Sequence, residues 1–224
     1  ELTYKSIQPE QANSAARTYR GPHQVYWDTE LNNHLLLITI AGTNSIPSDF
    51  RAFSETATSL GYSVIGVDYD NHIISTTCKA HEDDLCFDYF RKEVVLGEAQ
   101  SPLLKISRAN SIKQRIHDIL SLLAQEHPSR FAGFIVDNQI QWERVVVAGH
   151  SQGSGHAAYL SKFVPLRGVL LFAGPQDRFE KETRSVPWLR TPSRTAPERY
   201  FAFLHVHDFF GSAGQIKAAS QLME

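Results

Sequence analysis

The segment that decides the fold is Arg144-Val145-Val146-Val147-Ala148-Gly149-His150-Ser151-Gln152-Gly153. A short β-branched run leads into Gly-x-Ser-x-Gly, and a helical pattern follows over 154–163. A serine on a sharp turn between a strand and a helix stands clear of the sheet, and small neighbours let that turn pack. Backbone N–H groups at the start of the helix then point at a reacting carbonyl. The segment predicts a nucleophile elbow with Ser151 as the nucleophile. A phosphate loop is disfavoured, because its spacing and its Lys-Ser/Thr ending are absent.

Strand and helix patterns alternate along the rest of the chain. Apolar runs predict strands at 23–28, 34–41, 62–67, 144–148, 168–173 and 200–206. Helical spacing predicts helices after Ser48, around 87–96, after Ser111, over 154–163 and over 214–223. This alternation predicts an α/β fold, with a mostly parallel sheet covered by helices on both faces. Ligands of such sheets bind beyond the carboxyl ends of the strands, where the polar candidates below lie.

Length and composition fit one domain over residues 1–224. The chain has 42% hydrophobic residues, and its net charge of −2 gives no electrostatic footprint for nucleic acid or for an anionic membrane. No apolar run approaches the ~20 residues that cross a bilayer. We therefore expect neither a nucleic-acid partner nor a membrane span.

The two cysteines, Cys78 and Cys86, flank an acidic polar stretch that contains His81, Glu82 and Asp83. Three interpretations are open: a disulfide that closes a short loop, two free thiols in a reducing compartment, or a zinc site. We favour the disulfide, because zinc sites usually pair cysteines more closely and add a second ligand pair. A disulfide predicts a secreted or periplasmic protein, with the cytoplasm as the alternative.

Several motifs together resemble the α/β-hydrolase superfamily. They are the Gly42-Thr43 turn, the Cys78 and Cys86 pair, the Gly-His-Ser-Gln-Gly elbow followed by Ser154-Gly155-His156-Ala157, and His205-x-x-Asp208. The resemblance covers 35–208 and is narrower to a group of serine-esterase-like proteins, many of them exported. It implies a serine hydrolase that acts on a small-molecule ester or thioester through a covalent acyl-enzyme, without a cofactor or metal. A carboxylic ester is favoured because it is the commonest chemistry of the superfamily.

The resemblance also implies an oxyanion hole and a catalytic acid. The oxyanion donors would be the backbone N–H groups of Gln152 and Thr43, with Asn44 as the alternate to Thr43. The acid would be Asp208, which follows the strand where the superfamily acid usually lies. Asp177, after the preceding strand, is the alternate acid.

The catalytic histidine is the missing part of this pattern. The superfamily order is serine, acid, histidine, and no histidine follows Asp208 in the sequence. We expect that the chain is truncated at its C-terminus, that the last strand of the sheet is missing, and that the base lies beyond residue 224. His207, beside the acid, is a weaker alternate. A possible lid occupies about 178–198, where the superfamily inserts lids.

The absent base leaves a second interpretation of the whole chain. A non-catalytic relative of the hydrolases could use the pocket to bind a ligand or use its surface for partner contact. The sequence does not identify a substrate or an oligomeric state.

Overall fold

A computed structural model describes residues 1–181, 184 and 186–224. Its strands are β1 (Leu2–Ile7), β2 (His23–Asp28), β3 (Leu36–Ile40), β4 (Ser63–Val67), β5 (Ile135–Val136), β6 (Gln139–Ile140), β7 (Val145–His150), β8 (Gly168–Phe172) and β9 (Tyr200–Phe203). Its α-helices are α1 (Pro9–Ala12), α2 (Arg51–Ser59), α3 (Cys86–Leu96), α4 (Ile112–Glu126), α5 (Pro128–Phe131), α6 (Gln152–Ser161) and α7 (Ser212–Met223).

Seven of the described strands form one sheet in the order β1-β2-β4-β3-β7-β8-β9. The strands from β4 to β9 in this order run parallel, and β2 is antiparallel to both of its neighbours. The predicted α/β fold, a mostly parallel sheet with helices on both faces, is confirmed. Because β3 and β7 are paired in the middle of the sheet, the Gly42-Thr43 turn and the elbow emerge side by side at the carboxyl edge.

The central strands are apolar in continuous runs because helices cover both of their faces. In β3, Ile38 faces the larger part of the core, which α3, α4 and α6 complete. Leu37 faces the opposite side and packs in a smaller cluster with Ala57 of α2. Both side chains are almost fully buried. Burial on both faces is typical of a parallel strand and fixes β3 in the interior.

The helix predicted after Ser111 is the longest one described. The Ser111 hydroxyl accepts a hydrogen bond from the Gln114 N–H at 3.4 Å, which caps the first turn of α4. Its buried face carries Ile112, Ile116, Ile119, Leu120 and Leu123. This spacing is the helical stripe seen in the sequence.

Several features differ from the sequence-based prediction, the short helices α1 and α5 among them. The strand β1 and the β5–β6 hairpin were not predicted. The hairpin turns at Asp137 and Asn138, both with positive φ, a backbone conformation that these residue types tolerate. The last predicted strand, 200–206, ends at Phe203, because the chain turns where the Asp208 N–H donates to the His205 carbonyl at 3.0 Å.

The lid remains a prediction. Within 178–198, Glu182, Thr183 and Ser185 lie outside the described residues. In the described part of that segment, Trp188 and Leu189 are buried in the main core. No helix in the described ranges is both long and apolar enough to cross a membrane.

One buried histidine predicts how stability changes with pH. Burial, together with the cation of Arg115, lowers the pKa of His23 to about 3 from an ordinary 6.5. The neutral ring is required, because its Nδ1 accepts a hydrogen bond from the Asp68 N–H at 3.0 Å. As the pH falls, His23 therefore takes up a proton in the unfolded chain at a higher pH than in the folded chain. The stabilising contribution of neutral His23 is lost as the pH falls from 6.5 towards 3.

We expect His23→Asn, which keeps an acceptor near the same place, to flatten the fall in unfolding free energy between pH 6.5 and 4. The maximum effect of one proton is about 1.4 kcal/mol per pH unit. The measurement is urea unfolding at several pH values, with the exposed His34→Asn as the control. Equal slopes in the wild type and in His23→Asn would contradict this role.

Candidate active site

The backbone of Ser151 has the strained conformation of a nucleophile elbow. Its φ of 53° and ψ of −118° lie between the end of β7 and the start of α6. This backbone conformation is strained for a serine, so contacts with the surrounding structure must stabilise it. The Ser151 N–H donates to the Phe172 carbonyl at 2.8 Å, and the Ser151 carbonyl accepts from the Ser154 N–H at 3.0 Å. These bonds fix the turn from both sides.

Two glycines let the elbow close. A Cβ at Gly149 would overlap the carbonyl oxygen of Gly153, and a Cβ at Gly153 would overlap that of Ile40 at the end of β3. Both clashes are with backbone, which cannot move aside as a side chain can. The Gly-x-Ser-x-Gly spacing is therefore a packing requirement of the turn.

The turn after β3 lies against the nucleophile. A Cβ at Gly42 would stand 3.2 Å from the Ser151 Cβ. The next residue, Thr43, donates its hydroxyl to the Gln152 side-chain oxygen at 3.1 Å. The Asn44 N–H is already engaged with the Asn71 carbonyl at 3.2 Å, so the alternate donor is occupied. The geometry brings Thr43 and Gln152 together next to Ser151.

The side chain of Gln152 joins three segments of the site. Its oxygen also accepts from the Ser75 N–H at 2.7 Å, and its amide donates to the Ile73 carbonyl at 3.0 Å. Gln152 is 2% exposed, and its bond from the Ser75 N–H is buried. Gln152 therefore holds the chain around Ile73–Ser75 and the Gly42-Thr43 turn against the start of α6. Its sequence position gave no sign of this role.

A buried ion pair contacts the start of α6 next to Gln152. Arg91 of α3 and Asp177, after β8, form a salt bridge in which both side chains are fully buried. The Arg91 Nε donates to Asp177 Oδ2 at 3.1 Å, and the Trp188 indole donates to the same oxygen at 2.9 Å. The Arg91 Nη1 donates to the Gln152 carbonyl at 2.8 Å.

Sequence reasoning offered Asp177 as the alternate catalytic acid. The structure places its carboxylate between Arg91 and Trp188, and Arg91 in turn bonds to the Gln152 carbonyl in the first turn of α6. A catalytic role for Asp177 stays a prediction. Sequence reasoning missed Arg91 altogether. The available signal was a charged residue, Arg91, between the apolar residues Phe90 and Val94 on the buried face of α3.

His156 lies one helical turn after the nucleophile and is fully buried. Burial, together with the cation of Arg91, holds the pKa of His156 well below its usual value. Its ring packs edge-on against Tyr69, with the centroids 5.3 Å apart. His156 is therefore a neutral core residue.

Asp208 follows β9 in a partly exposed turn. Its Oδ1 accepts a hydrogen bond from the Phe210 N–H at 2.8 Å. The rings of His205 and His207 are exposed and 5.7 Å apart. Within the described residues, neither ring bonds to Asp208, and the Ser151 hydroxyl has no histidine partner. The role of Asp208 as acid and that of His207 as alternate base remain predictions.

The disulfide predicted between Cys78 and Cys86 is present, with 5.6 Å between the Cα atoms. Both sulfurs are consumed by it, so the free-thiol and zinc interpretations are wrong. Over the described part of the chain, no group of three acidic, histidine or cysteine side chains could hold a metal. The bond joins the 3₁₀ turn Ser75–Ala80 to the first residue of α3. It therefore connects the two segments that carry Ser75 and Arg91, and both of these residues form hydrogen bonds with Gln152.

Similarity to known proteins is found among solved structures and not among family models or curated proteins. No family model matches the chain, and no curated protein matches it. It is similar to two crystal structures of esterase B from Lactobacillus rhamnosis at 17% identity, and one of the two is of the inhibited enzyme. Their TM-scores are 0.40 and 0.39, and the match covers 71% of this chain in both cases. The chain spans 40% and 39% of the length of those two chains.

The ion pair under the elbow predicts a large stability effect. Arg91→Met leaves the Asp177 carboxylate buried without its cation, and we expect a loss of about 3–5 kcal/mol in unfolding free energy. Arg91→Met/Asp177→Asn removes the charge and keeps an oxygen for Trp188, and it should recover roughly half or more of that loss. Chemical denaturation measures both variants.

The exposed pair of Arg51 and Glu55 supplies the matched control. Arg51→Met should change the free energy of unfolding by no more than about 0.5 kcal/mol. A double variant at Arg91 and Asp177 that is less stable than Arg91→Met would overturn the assignment.

Proposed function

We propose that this protein is a serine hydrolase that acts on a small-molecule ester or thioester, with a carboxylic ester favoured. The observation that carries the proposal is the strained conformation of Ser151 between β7 and α6. A strained non-glycine residue on a rigid scaffold is more often found at a functional site than elsewhere. The turn around Ser151 also supplies N–H groups beside its hydroxyl, which suits acyl transfer.

The proposed reaction passes through an acyl-enzyme. The Ser151 oxygen attacks the carbonyl carbon while a histidine accepts the hydroxyl proton. The N–H groups of Thr43 and Gln152 stabilise the oxyanion that forms. The C–O or C–S bond then breaks, and the leaving alcohol or thiol takes the proton. Water repeats the sequence on the acyl-enzyme and releases the carboxylic acid.

Asp208 is the proposed acid that orients the histidine. The parallel strands β3, β7, β8 and β9 end at one edge of the sheet, and Asp208 follows the last of them. This order supports a position for Asp208 on the same side of the sheet as Ser151 and Thr43. Among the described residues, His207 is the candidate for the base.

We also propose membership of the exported serine-esterase-like group with this elbow. The Cys78–Cys86 disulfide supports an oxidising environment, such as a secreted or periplasmic location. In such an environment the disulfide would stay oxidised, and it would keep the segments of Ser75 and Arg91 bonded to Gln152 beside the elbow.

A second candidate is a non-catalytic binding protein on the same fold. It is favoured by one observation: within the described ranges, Ser151 has no histidine partner. Such a protein would keep the pocket and its donors but would not activate the hydroxyl.

A fluorophosphonate probe separates the two candidates. The enzyme should form a covalent adduct at Ser151, seen by mass spectrometry of the natural protein, and Ser151→Ala should abolish it. Asp208→Asn should slow labelling by about 10³-fold or more, because the base loses its orienting carboxylate. The control is Asp137→Asn in the exposed hairpin, which should label at the wild-type rate. A wild type that labels no faster than Ser151→Ala would exclude the hydrolase and favour the binder.

A further inference from the structure

We propose that a cavity between α7 and the described residues of 177–181 and 186–190 binds a small organic molecule that carries two or more negative charges. The cavity has a volume of about 890 Å³. Four cationic side chains line it: Lys79, Arg178, Arg190 and Lys217. They come from three separate parts of the chain and meet only in the folded protein.

Among the described lining residues, the carboxylates do not balance the charge of these cations. Asp177 is already neutralised by Arg91, and the fifth cation of the lining, Arg184, is paired with Asp84. Among the described lining residues, Glu180 is then the one carboxylate left against four cations. In the part of the chain that the structure describes, none of the four forms an ion pair. Clustered like charges destabilise the free protein unless an anion neutralises them.

Arg178 is held in place rather than free to turn away. Its Nη2 donates to the Phe210 carbonyl at 2.8 Å, and its guanidinium packs against Gly214 in the first turn of α7. A cation at the N-terminal end of a helix opposes the helix dipole, which adds to the positive potential there. Burial and the neighbouring Arg178 also lower the pKa of Lys79, as expected where positive charges crowd together.

The size and lining of the cavity restrict the ligand class. At about 30 Å³ of liquid volume per water, the space is far larger than an inorganic ion needs. Apolar wall is supplied by Phe179, Val186, Leu189 and Ala218. Guanidinium forks match carboxylate and phosphate groups equally well in geometry. The ligand is therefore an organic polycarboxylate or phosphate ester with some apolar surface.

Within the described lining, no residue has a step in the proposed reaction, although Asp177, the partner of Arg91, is part of that lining. The described lining residues do not include Ser151, Thr43, Gln152 or Asp208. Binding can therefore be measured whether or not the protein is a hydrolase.

Isothermal titration calorimetry at low ionic strength provides the test, with citrate and inorganic pyrophosphate as probes. We expect one probe or both to bind at a single site. Arg190→Gln/Lys217→Gln, at two exposed positions, should weaken binding by about tenfold to hundredfold because two charge-assisted contacts are lost. Lys105→Gln/Arg167→Gln removes the same charge elsewhere on the exposed surface and should leave binding unchanged.

The two probes distinguish the ligand chemistries. Binding of citrate alone assigns a polycarboxylate, binding of pyrophosphate alone assigns a phosphate, and binding of both assigns recognition by charge. The proposal is overturned if neither probe binds, or if the two double variants weaken binding equally. Far-UV circular dichroism verifies that each variant is folded.

Discussion

The structure depends on one close approach, that of the first turn of α6 to the end of β3. Gly153 lies against the Ile40 carbonyl with no room for a side chain between them. This contact holds α6 across the two central strands and leaves Ser151 at φ 53°. Because the helix begins so close to β3, the Gly42-Thr43 turn meets both the nucleophile and Gln152. The rest of the candidate site is arranged around that contact.

Strain at Ser151 requires support from the surrounding structure, and a connected polar network supplies it. Gln152 is bonded through its side chain to Thr43, Ile73 and Ser75, and through its carbonyl to Arg91. Asp177 keeps Arg91 in place, and the disulfide joins the segments that carry Ser75 and Arg91. A buried network is stabilising only when its members are satisfied, and here each polar group finds a partner. The same network would preorganise the oxyanion donors of the proposed hydrolase.

The sequence predicted what short-range patterns encode. The β-branched run before Gly149, the glycine spacing and the helical stripe of α4 each reflect local geometry, and the sheet followed from their alternation. The disulfide could also be predicted from the sequence, since its two cysteines are eight residues apart. The pairing of Arg91 with Asp177 could not be predicted, because 86 residues separate them and only the folded sheet brings them together. The last strand was predicted too long, because its apolar pattern continues past the point where the His205–Asp208 turn bends the chain.

The most direct test compares two glycine-to-alanine substitutions, one in helix α6 and one in strand β8. Gly153→Ala places a methyl group on the Ile40 carbonyl, whereas a Cβ at Gly168 makes only ordinary contacts of 3.7–3.8 Å. Chemical denaturation should show a loss of at least about 2 kcal/mol for Gly153→Ala and a change within about 0.5 kcal/mol for Gly168→Ala. Equal stability of the two variants would show that the close approach of α6 to β3 does not hold the elbow.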